Sequence, residues 1–400
     1  MQPRRAARGR FPLMALAGIS LLAALWAGLV RIGWHWPAAG LLPAGQHGAF
    51  MISGFLGTLI SLERAVALRQ NQRDSQAGTV QPRYDTRLYY LAPALAGTGS
   101  LALLVGLPPI LGRAAITLGA AGLTILFVLI YRLQPNAANA TMAAGAGAWL
   151  VGDALWLAGL PVSRAVPWWA GFLILTIVGE RLELARVMFW GPTARRLYLA
   201  AVATFTAGLL LSPVQRADTF DAAVRLSGAG LVLLAAWLWR YDVARRTIRR
   251  QGLTRFIAAC LLPGYAWMGF GGLLWLGFGG GYVAGPVYDA MLHSLFLGFV
   301  FSMIFGHAPV IIPAVLRVAV PYRPIYYVHL ALLHISLILR VAGDLALGPV
   351  ARRWGGLLNV VAVLLFLAVT LAPWSRLLPR RLRAKATERR PVSSPVVIEN

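Results

Sequence analysis

The sequence predicts an all-α, polytopic membrane protein of about twelve transmembrane helices, arranged as three parallel four-helix repeats. The first observation behind this prediction is composition: 58% of the 400 residues are hydrophobic and only 12% are charged, which is too apolar for a water-soluble domain. The second is that uncharged runs of roughly 20 residues, the length that crosses a bilayer, recur along the chain. Helices are expected because they satisfy their own backbone hydrogen bonds in lipid.

The apolar runs define twelve predicted spans. The first begins soon after the amino terminus, and its length argues against a cleaved secretory signal. In chain order the approximate bounds are 11–33, 46–68, 87–107, 112–131, 140–160, 166–188, 197–213, 223–243, 253–278, 286–312, 323–345 and 354–373.

The net charge of +24 indicates how the chain is oriented rather than a nucleic-acid partner. The arginines lie mainly between the apolar runs, where positive charge sets topology. Their concentration in alternate connections predicts that both termini lie in the cytoplasm. The membrane itself is expected to be a bacterial-type inner (plasma) membrane. The predicted partner is therefore the lipid bilayer, with no nucleic acid. The one cysteine, Cys260, excludes a disulfide within the chain.

A short motif recurs three times and predicts the repeats. Its glycine is followed nine residues later by Glu-Arg in two copies and by histidine in the third. Because four helices per unit is an even number, the units would point the same way. They are residues 1–135, 136–250 and 251–378, followed by a flexible cytoplasmic tail at 379–400. The copies are Gly54-Phe55-Leu56 with Glu63-Arg64, Gly171-Phe172-Leu173 with Glu180-Arg181, and Gly298-Phe299-Val300 with His307.

Histidines are the main candidate ligands in this apolar chain. His47 begins the second span and His293 lies in the outer half of the tenth, a pairing that suits bis-imidazole ligation of a haem iron. Gly54 would share the helix face of His47 at about 100° per residue and let a flat macrocycle approach the backbone. The same rule places His307 near the face of His293. The alternative is that such histidines only form hydrogen bonds between helices.

His307, His329 and His334 form a second, inner group of candidate metal ligands, with copper or zinc as the ion. His329 and His334 are five residues apart and would point about 140° away from each other on an α-helix, so both do not easily join His307 on one metal. The alternative for His307 is a structural role, since the Gly-His-Ala-Pro sequence around it can kink the helix.

Three carboxylates are candidates for proton binding. Asp153, near the middle of the fifth span, is the best candidate for a functional carboxylate. Glu63 and Glu180 lie near inner helix ends beside arginines, where paired structural charges compete with a proton path as the interpretation. Arg340 and Asp344, at positions i and i+4, are expected to neutralise each other.

Arg352 and Arg353 stand on the predicted outer side, against the positive-inside trend. Guanidinium groups bind carboxylates well, and haem propionates would be such carboxylates. Contact with lipid headgroups is the alternative.

This pattern resembles the haem–copper oxidase subunit I superfamily, and in particular its NnrS-type members. The resemblance implies twelve helices in three four-helix arcs, with a low-spin haem held by histidines of the second and tenth helices, here His47 and His293. It also implies contact of the haem propionates with Arg352 and Arg353. The oxidase copper ligands have no counterpart, since spans six and seven contain no histidine. Leu295 stands where helix ten would carry a ligand for a second haem.

The predicted function is therefore that of an integral membrane protein that binds a b-type haem, with copper as a second candidate cofactor. It would handle nitric oxide or electrons rather than reduce oxygen, and a redox partner protein is implied. The alternative is a small-molecule or proton-coupled transporter without a cofactor, in which Asp153, Glu63 and Glu180 bind protons. A membrane assembly factor with no chemistry of its own is the third interpretation.

Overall fold

The computed structural model of the protein describes residues 10–35, 44–75, 87–184, 191–214, 216–316 and 321–375. These residues form twelve long helices and no strand, which confirms the all-α prediction. Each predicted span overlaps one of these helices. The predicted tail at 379–400 lies outside the described residues, as do residues 1–9.

The helices are numbered in chain order, and a single-turn helix, Ala244–Thr247, joins α8 to α9. The first six are α1 Phe11–Arg31, α2 at 44–75, α3 Leu88–Leu104, α4 Pro109–Leu133, α5 Ala137–Leu157 and α6 Val162–Leu184. The second six are α7 Pro192–Leu211, α8 Ala217–Tyr241, α9 Gly252–Phe278, α10 at 286–316, α11 at 326–347 and α12 Pro349–Ser375.

The surface of the helices is apolar. Ten of the described helices are long and apolar enough to cross a membrane, and α3 is a shorter apolar helix. Large side chains project outward from them, as expected where lipid rather than water is the neighbour; Leu118, Ile125, Ile335 and Ile338 are between 58% and 64% exposed. The fold is compatible with a multi-pass membrane protein.

Helices that follow each other in the chain pack side by side, because small residues let their backbones approach closely. Gly228 of α8 and Gly272 of α9 give the clearest case, since a Cβ added to Gly228 would lie 2.7 Å from the carbonyl oxygen of Gly272. Packing also joins helices distant in sequence: α1 contacts α12, and the second half of α2 contacts α10. These contacts bring α1, α2, α10, α11 and α12 around one region of the protein.

Three of these helices contain π-helical segments, Phe50–Gly57 in α2, Ser294–Phe301 in α10 and Gly343–Leu347 in α11. The segments in α2 and α10 hold the first and third copies of the repeated motif, whereas the second copy lies in α6, which is α-helical over its described length. A π-helix bonds residue i to i+5 rather than i+4. The step of about 100° per residue therefore does not hold across either segment. The predicted alignment of His47 with Gly54, and of His293 with His307, rested on that step and is wrong in this respect.

Candidate functional site

A cavity of about 350 Å³ lies between α1, α2, α6, α10, α11 and α12. Most of its wall is apolar, and its polar residues are two histidines, three arginines, an aspartate and an asparagine. A mainly apolar pocket with a few convergent polar groups is typical of a small-molecule or cofactor site. The apolar wall includes Leu25, Met51, Ile52, Val166, Phe296, Phe301 and Val363, and the polar residues are His47, His293, Arg31, Arg340, Arg352, Asp289 and Asn359.

The structure brings His47 and His293 together across this cavity. Their imidazole centroids are 6.2 Å apart and their ring planes differ by 26°. A metal ion bound between two imidazoles, at about 2 Å from each nitrogen, would separate the ring centroids by roughly 6 Å. The centroid distance of the two rings therefore matches the distance expected for two imidazole ligands of one ion.

Hydrogen bonds fix the tautomer of both rings. Nδ1 of His47 lies 2.6 Å from the carbonyl oxygen of Ala24, and Nδ1 of His293 lies 2.9 Å from that of Asp289. Since a carbonyl oxygen only accepts, each Nδ1 carries the proton and donates it. Among the described residues, Nε2 of neither ring has a hydrogen-bond partner. Each Nε2 thus keeps a lone pair for a metal, and each Nδ1 makes the hydrogen bond to a carbonyl oxygen that metal-ligating histidines usually make.

The backbone around His47 is shaped to hold its ring. A Cβ added to Gly28 of α1 would lie 2.9 Å from both Cε1 and Nδ1 of His47, so only glycine leaves room for the imidazole there. Ala24, the hydrogen-bond acceptor, is one turn earlier on the same helix. The glycine that serves His47 is therefore Gly28, which sequence reasoning missed.

Gly54, predicted to help bind the cofactor, lies elsewhere. A Cβ on Gly54 would meet Ser20 and Ser100, whose hydroxyls hydrogen-bond to each other at 2.9 Å between α1 and α3. Gly54 does not line the cavity. Its role is the close packing of three helices, because the π-helical turn rotates it away from the face of His47.

Ion pairs occupy the polar side of the cavity. Both carboxylate oxygens of Asp289 contact Arg340, at 2.8 Å to Nε and 3.0 Å to Nη2. Arg352 reaches Asp344 at 2.8 Å and Asp289 at 3.6 Å. The predicted ion pair of Arg340 with Asp344 is wrong. Arg340 instead binds both carboxylate oxygens of Asp289 on α10, a bidentate geometry that guanidinium favours.

The two predicted propionate-binding arginines have different positions. Arg352 lines the cavity, whereas Arg353 does not. The guanidinium of Arg353 lies 5.0 Å from the centroid of the Trp34 ring, and its carbonyl accepts a 3.2 Å hydrogen bond from the indole of Trp34. Arg31 and Arg340 line the cavity in its place.

Asp289 is a further cavity residue that sequence reasoning did not single out, besides Gly28 and Arg31. It precedes His293 by four residues, and the spacing i, i+4 on a helix places two side chains on one face. That spacing was available in the sequence. The pairing of Asp289 with Arg340 could not be read from the sequence, because the two residues lie on different helices and are 51 positions apart in the chain.

The inner histidines do not form a metal site. Among the described residues, no group of three or more His, Cys, Asp or Glu side chains could hold a metal ion. Nδ1 of His307 donates to the carbonyl of Met303 at 2.7 Å, and Nδ1 of His334 accepts from the indole of Trp267 at 3.1 Å.

His329 is buried and surrounded by aromatic rings. Neither of its nitrogens has a hydrogen-bond partner in the described part of the chain. Four ring centroids lie between 4.8 Å and 6.1 Å from its own, those of Phe256, Phe305, Tyr326 and Phe366.

The predicted acidic candidates are bound within the helix packing. Asp153 is fully buried, and its Oδ1 accepts hydrogen bonds from Ser53 at 3.0 Å and from the indole of Trp169 at 2.9 Å. Glu180 accepts a hydrogen bond from Arg64, which also lies 3.8 Å from Glu63. Arg64 therefore links α2 to α6 through Glu180, in addition to its contact with Glu63 within α2.

The fold and the site together define a class: a helical protein, compatible with a membrane location, in which two histidines with free Nε2 atoms face a largely apolar cavity. The chain belongs to the family described as a domain of unknown function, DUF8744, whose model matches residues 10–375. No curated protein matches the chain.

Proposed function

We propose that the protein binds one haem of b type, with His47 and His293 as its two axial ligands, and that it transfers electrons within a membrane. The observation that carries the proposal is the histidine pair, with ring centroids 6.2 Å apart and each Nδ1 bonded to a carbonyl oxygen. A bound haem would supply a one-electron redox centre at this position.

The wall of the cavity supports haem rather than a bare metal ion. Apolar side chains such as Met51, Phe296 and Phe301 line it, as a porphyrin requires. Arg31 and Arg352 also line it and could bind propionate carboxylates. A metal ion alone would need further ligands, and the described residues offer no group of three.

Electron transfer is favoured over binding of nitric oxide because His47 and His293 would both be engaged in holding the iron. An iron with two strong protein ligands exchanges electrons without taking an external ligand. Nitric oxide handling and the NnrS-type relationship remain predictions from the sequence resemblance. Copper also remains a prediction, without a donor set that supports it. A redox partner protein is part of the proposal, since electrons must enter and leave.

The membrane arrangement is proposed with the function. Twelve transmembrane helices in three parallel repeats, in a bacterial-type inner membrane with both termini in the cytoplasm, would place the histidine pair in the outer half. The overlap of each predicted span with a long helix supports this arrangement. The similar π-helical segments in the first and third units support a common origin of those units.

The test is the haem content of the purified protein. Cells should be supplied with a haem precursor, and the protein purified in detergent as wild type and as His47→Ala, His293→Ala and His35→Ala. His35 is exposed and does not line the cavity, so its variant is the matched control. The wild type and His35→Ala should show a Soret band and a sharp reduced α-band, which the other two variants lose or alter. A wild type without a Soret band refutes the proposal.

Transport of a small carboxylate is the second candidate function. The observation that favours it is the set of three arginines that line one cavity. The cavity also lies next to π-helical segments at corresponding positions of two units. Transporters often place their binding sites at such irregular helices. Proteoliposomes made with haem-free protein separate the two functions. Uptake of a labelled carboxylate by such vesicles would favour transport, and its absence together with a Soret band would favour haem.

A further inference from the structure

The two proposed axial histidines have different surroundings. The Nδ1 proton of His47 has one acceptor, the carbonyl of Ala24 at 2.6 Å. Nδ1 of His293 lies 2.9 Å from the carbonyl of Asp289 and also 3.3 Å from Oδ1 of the same residue. His293 therefore has a carboxylate beside its proton, and His47 has none within the described residues.

The carboxylate of Asp289 is held rigidly in this position. Its side chain is 8% exposed, and Arg340 binds both oxygens. Arg352 stands 3.6 Å from Oδ1 and is itself engaged by Asp344. A bidentate pair of this kind fixes orientation as well as charge. Asp289 thus presents a fixed negative charge to one imidazole only.

We propose that Asp289 is the positioning residue of His293, and that its carboxylate makes His293 the more basic of the two axial ligands and lowers the reduction potential of the haem. The inference rests on the proposed haem ligation. A carboxylate on the far nitrogen of a ligating histidine fixes the tautomer and raises ligand basicity. A more basic ligand stabilises the oxidised iron, which carries one more positive charge than the reduced iron.

The electron balance of the measured step is simple. One electron from a mediator dye reduces the iron, the dye loses that electron, and no bond forms or breaks. The negative charge of Asp289 disfavours the added electron. Neutralising Asp289 should therefore favour the reduced state at any given potential.

A mediated redox titration of the purified holoprotein tests the inference. The variants are Asp289→Asn, which keeps the shape and removes the charge, and Asp221→Asn as the control. Asp221 also forms an i, i+4 ion pair, with Arg225, but it does not line the cavity. Asp289→Asn should raise the ratio of reduced to oxidised haem about tenfold at fixed potential, which is 59 mV for one electron. Asp221→Asn should leave the ratio within twofold of the wild type.

A second variant covers the case in which Asp289→Asn does not accumulate because Arg340 is left buried without its carboxylate. Asp289→Asn combined with Arg340→Met removes both charges together, which is far less destabilising than breaking the pair. Because Arg340 lies farther from His293 than Asp289 does, the double variant should shift the ratio in the same direction by a smaller factor, about threefold.

The outcomes distinguish this inference from the proposed function. A wild-type spectrum without haem refutes the proposed ligation itself. A wild type with two axial histidines, together with an Asp289→Asn variant of unchanged or lower potential, refutes the role of Asp289 and leaves the haem site standing. An unchanged or lowered ratio of reduced to oxidised haem in the double variant would also refute the role of Asp289 and leave the haem site standing.

Discussion

Replacing Gly28 with alanine should weaken haem binding about tenfold while leaving the helices intact. The added Cβ would lie 2.9 Å from Cε1 and Nδ1 of His47, whereas carbon atoms in contact prefer about 3.5–4.0 Å. The ring must therefore move by roughly 0.5–1 Å. The hydrogen bond from Nδ1 to Ala24, at 2.6 Å, restrains that movement, because Ala24 lies on the same helix as Gly28.

The magnitude follows from the geometry that ligation requires. A ligand must be held within about 0.5 Å of its productive position. Loss of the hydrogen bond to the far nitrogen of a ligating histidine usually lowers metal affinity about 10–100-fold. We take the lower value, about tenfold or 1.4 kcal/mol, because the ring of His47 moves but remains present. The decrease should appear in the dissociation constant for haem rather than in the amount of folded protein.

Gly18→Ala is the matched control, since it lies on the same helix and a Cβ there would meet nothing within 4 Å. Haem is titrated into haem-free wild type and both variants, and binding is followed by Soret absorbance. Gly18→Ala should bind haem as the wild type does and gain up to about 1 kcal/mol of helix stability. Equal haem affinity of the two alanine variants would refute the reasoning that places the ring of His47 against Gly28.

Three further substitutions test buried polar side chains between the helices. The quantity measured is the free energy of unfolding in detergent. Asp153→Ala leaves two buried donors without an acceptor and should cost about 2–4 kcal/mol; a loss below about 1 kcal/mol would mean that water replaces the carboxylate. Asp242→Ala strands the buried guanidinium of Arg181, which it binds through two 2.8 Å contacts, and should cost about 3–5 kcal/mol. The half-exposed pair of Asp221 with Arg225 provides the contrast, because a solvent-exposed ion pair contributes little to stability. His329→Phe should stabilise the protein by about 1 kcal/mol, because it removes two buried nitrogens without partners, and should leave metal content unchanged; loss of bound copper in this variant would instead revive the inner metal site.

The helices could be predicted from the sequence because their signal is local. Long apolar runs separated by arginines predict the helices and their approximate ends, and each predicted span overlaps a helix of the structure. The pairing of His47 with His293 was also within reach, since few polar residues occur in these apolar helices. Such residues in an apolar chain point to function more often than to packing.

The remainder of the site could not be predicted because it depends on backbone geometry and on contacts between helices. The π-helical segment Phe50–Gly57 changes which side chains share a face, so Gly54 faces Ser20 and Ser100 instead of the cavity. No periodicity in the sequence marks that change. Likewise, Arg340 pairs with Asp289 rather than with Asp344 because α10 packs against α11. A local i, i+4 rule carries no information about that packing.

The electron paramagnetic resonance spectrum of the oxidised protein at low temperature tests the central claim most directly, because it reports the axial ligands of the iron. The wild type and His35→Ala should both show a low-spin ferric signal of bis-imidazole type. His47→Ala and His293→Ala should each replace it with a high-spin signal or lose the haem. A wild type that is high-spin, or a low-spin signal that survives both alanine substitutions, would contradict the assignment of His47 and His293 as the haem ligands.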